Sequence, residues 1–370
     1  MTEAMRLLAV AAESLPEAPL RQAPAAALRA RAGGAFEPGA LIAEQGFRPE
    51  HDALRAEGHE VFARLPDATE PRAVALVALT RARAENRANV ARAWGLTSPG
   101  GFVVVAGAKT DGVESLQKDL KALGLEVVAR PGGHGRSLTI PRGEATPEAF
   151  GAWIAAAAPA VRAELADGRP AVTCAGIFSW EGADPGSVLL AQALPALKGA
   201  VADLGAGWGY LAAAALGSEA VTRVDLVEAE RTALDCAQAN LKDPRAVFHW
   251  ADARAPGLPE GGHDAVVCNP PFHETRAAEP ALGEAFIGAA ARLLKPGGAL
   301  WLVANRQLPY ERALEARFGE VEAIGGDRRY KLIRAARPRR GGAAQAAGRG
   351  AAQAAGRGAA KAGGGGRRRR

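Results

Sequence analysis

The stretch Val201-Ala202-Asp203-Leu204-Gly205-Ala206-Gly207-Trp208-Gly209 decides the fold. A short apolar run enters a turn with glycines at alternate positions, and Tyr210-Leu211-Ala212-Ala213-Ala214 then starts a helix. Strand, glycine turn and helix in that order open a βαβ unit, so a parallel sheet flanked by helices is expected. Glycine tolerates positive φ and lets the backbone approach a ligand closely. A dinucleotide fingerprint needs a further glycine where Tyr210 stands, so the pattern here is DxGxGxG and not GxGxxG. A helix start of this kind suits an amino-acid carboxylate as well as a phosphate.

Working outward, Val221–Val227 reads as the next strand and ends in Glu228. A carboxylate there, roughly 20 residues past the glycines, is placed to accept two ribose hydroxyls. Free ribose hydroxyls without a phosphate site nearby point to S-adenosylmethionine. The strand Ala246–Trp250 is followed by Asp252, an acceptor for an adenine amino group or simply a helix cap. His263–Cys268 reads as a buried strand and runs into Asn269-Pro270-Pro271-Phe272-His273. The prolines stop the ladder and hold Asn269 at the strand's carboxyl end, where open α/β sheets bind ligands. The Asn269 side-chain oxygen and the Pro270 carbonyl make two acceptors for an –NH2 group on a planar system, and Phe272 covers the ring. Phe178–Ser187 forms a polar turn before a helix at 188–197. It is either a cap, through Asp184 or Ser187, or a loop folded over the cofactor.

From about Phe178 to Arg334 the chain resembles the class I S-adenosylmethionine-dependent methyltransferases. In particular it resembles the RsmC/RlmG group of ribosomal RNA guanine-N2 methyltransferases. The likeness is carried by Phe178–Ser187, Asp203–Gly209, Glu228 and Asn269–His273. It implies a catalytic set of Asn269, Pro270 and Phe272. It implies cofactor contacts from Asp203, Gly205, Gly207, Gly209, Glu228, Asp252 and Asn269, and substrate contacts from Pro271, Phe272 and His273. Trp208 departs from the small residue usual at its position. The expected substrate is a guanine of ribosomal RNA, on the small (16S) rather than the large subunit. The alternatives are a 23S guanine, adenine N6 or a protein glutamine amide; a non-catalytic RNA-binding assembly factor stands outside enzymes altogether.

The same rhythm occurs earlier. Pro99-Gly100-Gly101 precedes the strand Phe102–Ala106 as Pro296-Gly297-Gly298 precedes Ala299–Val303, and Arg136–Ile140 matches Arg328–Ile333. The expected fold is α/β, with two tandem Rossmann-like methyltransferase domains: a degenerate copy at 1–165 and a seven-stranded catalytic copy at 166–336. The degenerate copy is expected to act as a scaffold or to bind RNA. Thr80-Arg81-Ala82-Arg83 stands there for the Asn269 motif. Residues 1–70 give only a weak helical signal, and 145–170 read as an alanine-rich helical connection.

Residues 337–370 are repetitive in Gly, Ala and Arg and are expected to be a disordered, RNA-attracting tail. The formal charge of +6 sits there, since residues 1–336 hold 36 bases against 40 acids. Cys174, Cys236 and Cys268 lack metal-ligand spacing and read as buried thiols of a reducing compartment. No metal is expected. Without a basic, apolar leader or a run long enough to span a bilayer, the chain reads as a soluble cytoplasmic monomer.

Overall fold

A computed structural model describes residues 2–16, 23–271 and 279–339. Two seven-stranded mixed sheets follow one another along the chain, each with five parallel strands and an antiparallel closing pair. The first is built from β1 (Ala25–Leu28), β2 (Leu41–Glu44), β3 (Glu60–Phe62), β4 (Arg72–Ala78), β5 (Thr97–Ala108), β6 (Val128–Gly132) and β7 (Gly135–Pro141), in the order β3-β2-β1-β4-β5-β7-β6. After a two-stranded unit of β8 (Ala160–Glu164) and β9 (Pro170–Thr173) comes the second sheet. It comprises β10 (Gly199–Leu204), β11 (Val221–Glu228), β12 (Ala246–Trp250), β13 (His263–Cys268), β14 (Leu294–Asn305), β15 (Phe318–Gly326) and β16 (Tyr330–Pro338), in the order β12-β11-β10-β13-β14-β16-β15. The two orders are the same, position for position.

Both faces of the second sheet are covered, which is why its central strands are apolar throughout rather than alternating. Val201, Leu226 and Val267 face α6 (Pro185–Ala193), α7 (Tyr210–Leu216) and α8 (Arg231–Asn240). Ala202, Val266 and Leu300 face α9 (Glu279–Leu293) and α10 (Glu311–Arg317). Each fully buried Val or Leu contributes about 1.5–3 kcal/mol. These two layers hold the strand ends in place.

Three expectations need correction. The first 70 residues hold β1, β2 and β3 besides the helices α1 (Glu3–Glu13) and α2 (Arg48–Ala56). Strand β1 is Ala-Ala-Ala-Leu, whose weak intrinsic strand preference is overridden by burial between β2 and β4. The helical connection at 145–170 is only α5 (Ala149–Ala157); β8 and β9 then pair, with β9 also packing on α8. Finally, the ladder registers place Leu28 beside Val77 as they place Leu204 beside Cys268. Ala78, two residues before Thr80, is therefore the counterpart of Asn269.

Candidate active site

Strand β10 delivers Asp203 and Leu204 into the glycine turn, and all three glycines are left-handed: φ is +77° at Gly205, +55° at Gly207 and +95° at Gly209. At Gly209 a Cβ would also lie 2.9 Å from Leu241 Cδ1, so that side chain would have to shift. The turn is fastened to the end of β11, where Gly205 N donates to the Val227 carbonyl at 2.9 Å and Gly207 N to Glu228 Oε2 at 2.8 Å. The other Glu228 oxygen accepts from Glu230 N at 2.8 Å. Burial, its largest influence, raises the Glu228 pKa.

Asp203 is fully buried, and neither carboxylate oxygen has a hydrogen-bond partner among the described residues. Burial pushes its pKa up to about 8, and the nearby Glu228 charge adds to this. A buried acid without a partner is costly, and a cationic or hydrogen-bond-donating ligand relieves that cost.

Asn269 follows β13 and is tied from across the cleft. Its Nδ2 donates to Asp184 Oδ2 at 2.9 Å and to Ser187 Oγ at 2.9 Å. A carboxylate only accepts, so the amide orientation is fixed by chemistry. Both N–H bonds are then used, and Oδ1 remains as an acceptor. Asp184 also caps α6, accepting from Ser187 N at 3.0 Å. The Phe178–Ser187 turn is thus a cap and a wall of the site together. Gly186 makes room for it, since a Cβ there would lie 2.9 Å from the Tyr330 ring.

The three sequence stretches meet around one small cleft, whose lining includes Phe178, Asp184, Asp203, Gly207, Trp208 and Asn269. Trp208 is buried, edge-on to Tyr210 at 5.6 Å. Asn240 holds its carbonyl through Nδ2 at 3.0 Å. Pro270 is buried and Pro271 exposed, while Phe272 and His273 lie outside the described residues. Asp252 is not part of the cleft lining; it accepts from Arg254 N at 2.8 Å and pairs with the Arg254 guanidinium at 2.6 Å. That is a local turn bond, and among the described residues no helix follows for Asp252 to cap. Sequence reasoning missed Asn240 and the grip of Asp184 and Ser187 on Asn269. A buried polar residue on a helix and a cap 85 positions away carry no signal of either.

The equivalent positions of the first sheet carry different residues. Arg29 N donates to the Glu44 carbonyl as Gly205 N does to that of Val227, so Arg29 stands for Gly205, Arg31 for Gly207 and Gln45 for Glu228. Gln45 Nε2 bonds the Ala30 carbonyl at 2.6 Å, where Glu228 instead accepts from Gly207. With Ala78 at the Asn269 position, the acid, two glycines and the amide are all gone.

A sheet of this order, with a glycine turn after its first strand, an acid after its second and Asn-Pro-Pro after its fourth, defines a class I methyltransferase domain. Residues 169–334 match the family described as methyltransferase small domain. The chain is 32% identical over 157 residues to ribosomal RNA small subunit methyltransferase C of Shewanella piezotolerans, covering 42% of this chain and 46% of the relative. It is 35% identical over 176 residues to ribosomal RNA large subunit methyltransferase G of Streptomyces coelicolor, covering 46% of each. The match spans about half the length of these curated relatives. A solved structure, the T. thermophilus 16S rRNA N2 G1207 methyltransferase RsmC in complex with AdoMet and guanosine, superposes with a TM-score of 0.74 at 26% identity, covering 91% of this chain and 92% of that one. Residues 169–334 thus match a methyltransferase small domain, and the chain is similar to the RsmC/RlmG-type methyltransferases.

Proposed function

We propose that the chain transfers a methyl group from S-adenosylmethionine to the exocyclic N2 of a guanine in ribosomal RNA, on the small subunit. The observation that carries this is the Asn269 amide, pinned by Asp184 and Ser187 so that Oδ1 is left to accept. A guanine N2 lone pair is delocalised into the ring and is a poor nucleophile. Accepting its two N–H bonds on Asn269 Oδ1 and the Pro270 carbonyl turns that lone pair out of conjugation and stabilises the positive charge that grows on nitrogen. Phe272 stacks on the base, presented out of its helix or loop, with Pro271 and His273 beside it.

The residues present fit the cofactor. Asp203 offers a buried carboxyl group without a hydrogen-bond partner among the described residues, Glu228 has its acceptor oxygens at the end of β11, and Gly205, Gly207 and Gly209 leave the turn bare of side chains. S-adenosylmethionine supplies a methyl group already activated on sulfur, so the protein's task is positioning. Asp252 is paired with Arg254 and keeps acceptor capacity for an adenine amino group.

The small-subunit assignment rests on the relative matched over nearly its whole length, named for a 16S target. The large-subunit reading has its own support in the S. coelicolor match. Ribosomal RNA as substrate also places the enzyme in the cytoplasm; no helix among the described residues is long and apolar enough to cross a membrane. The first sheet serves as scaffold and the basic tail adds RNA affinity. The test is transfer of labelled methyl to unmodified small subunits, large subunits, free ribosomal RNA and total protein, followed by digestion and mass spectrometry. N2-methylguanosine in small-subunit RNA is expected; label in N6-methyladenosine or in protein refutes the guanine assignment.

A further inference from the structure

The lost site of the first sheet is used for something else. Its loop Gly46-Phe47-Arg48 meets Ala229-Glu230-Arg231 of the second sheet in a pair of reciprocal bonds. Arg48 N donates to the Ala229 carbonyl at 2.8 Å, and Arg231 N to the Gly46 carbonyl at 2.9 Å, around an antiparallel bridge between Phe47 and Glu230. Gln45 is the counterpart of Glu228, so these loops are counterparts of each other. The contact is a pseudo-twofold one, the same patch used on both halves. Trp250 closes its edge, donating through Nε1 to the Gly46 and Ala229 carbonyls at 3.0 and 2.9 Å.

Arg29 lies over this junction. It keeps the left-handed backbone of the glycine it replaces, at φ +58°, although an arginine gains nothing from that conformation locally. Its guanidinium bonds Glu85 of the first half at 2.6 Å and Glu230 of the second at 2.7 Å. Glu230 is two residues past Glu228, and its N–H holds a Glu228 oxygen. A continuous chain of bonds therefore runs from Glu85 through Arg29, Glu230 and Glu228 to Gly207 in the glycine turn.

We infer that Arg29, Gly46 and Glu230 are positioning residues for the cofactor: the emptied site of the first half fixes the loop that sets Glu228 in the second. This rests on the reading of Glu228 as a cofactor residue. The first half then acts on cofactor affinity and not on the reacting amine.

Two substitutions in the full chain test this from opposite sides. Glu230→Gln removes the charge that Arg29 grips while keeping the shape. Gly46→Ala is compatible with the backbone, which is not left-handed there, but its Cβ would lie 2.5 Å from Glu230 Oε1 and push that side chain off Arg29. The control is Arg92→Gln, which breaks an ion pair to Glu44 at 2.6 Å that stays within the first half. Calorimetry with S-adenosylmethionine should show the dissociation constant raised roughly five- to ten-fold in both test variants, the low end of coupling between linked sites. The turnover rate at saturating cofactor should be unchanged. Arg92→Gln should lower the melting temperature and leave the dissociation constant alone. Unaltered affinity in both test variants, or an equal loss in the control, overturns the inference. Absence of binding by the parent protein overturns the cofactor reading, and this inference with it.

Discussion

Replacing Asn269 with Asp changes one atom's chemistry and nothing of its shape. The Nδ2 that donates to Asp184 and Ser187, each at 2.9 Å, becomes an oxygen. Two unit charges at that separation repel by about 6 kcal/mol at an effective dielectric constant of about 20. That is comparable with the whole stability of a domain, so the pair keeps one proton between its carboxyls at neutral pH. Holding this proton has a definite sign. The folded pKa of the pair lies above the unfolded value of about 3.9, so the native state binds a proton that the unfolded state has released. Stability relative to the parent is retained near pH 4 and falls as pH rises toward the folded pKa, by about 1.4 kcal/mol for each unit of elevation. Thermal melts of parent and N269D between pH 4 and 9 read this directly. The melting temperatures should converge in acid and separate with rising pH. Parallel profiles would mean that the amide nitrogen does not face Asp184, and the argument for a free acceptor oxygen would collapse.

Asp203, held up to about 8 mainly by burial, follows the same sign: its proton is kept in the fold and lost on unfolding between about pH 4 and 8, so stability falls across that window. Asp203→Asn should flatten the fall in melts while weakening cofactor binding at least ten-fold by calorimetry; an unchanged pH profile would show the carboxyl to be ionised already. Gly209→Ala forces a left-handed alanine whose Cβ lies 2.9 Å from Leu241, so a loss of about 2 kcal/mol in denaturant melts is expected, with weaker cofactor binding; a neutral outcome would show the turn to be free to move. Truncation after Arg339, which keeps β16 whole, should raise the KM for RNA and reduce its salt dependence without altering the modified base; unchanged salt dependence would leave the tail without an RNA role.

Much of the catalytic half was legible because its signals are local. The Asp203–Gly209 turn needs glycines at fixed φ, and Asn269-Pro270-Pro271 needs its prolines where the strand ends, so both announce themselves in a few residues. What holds Asn269 is not local. Asp184 and Ser187 read as an ordinary helix cap, and only the packing of α6 against β14 and β16 brings that cap to the amide. The first sheet was legible in its second half, where Val103–Ala106 and Leu76–Ala78 are strongly apolar, and illegible before residue 70. Strand β1 is three alanines and a leucine, and the turn after it has exchanged glycines for arginines. Its identity appears only through the ladder, as does the two-residue shift that places Ala78 at the Asn269 position.

The central claim is that one amide oxygen with its neighbouring carbonyl presents an exocyclic amine for methylation. The most direct test is Asn269→Ala beside the parent, with S-adenosylmethionine affinity measured by calorimetry and N2-methylguanosine counted in digested ribosomal RNA. The account predicts that cofactor is still bound and that product falls at least a hundred-fold, about 2.7 kcal/mol of transition-state stabilisation. Product formed by the alanine variant at near the parent's rate would contradict it.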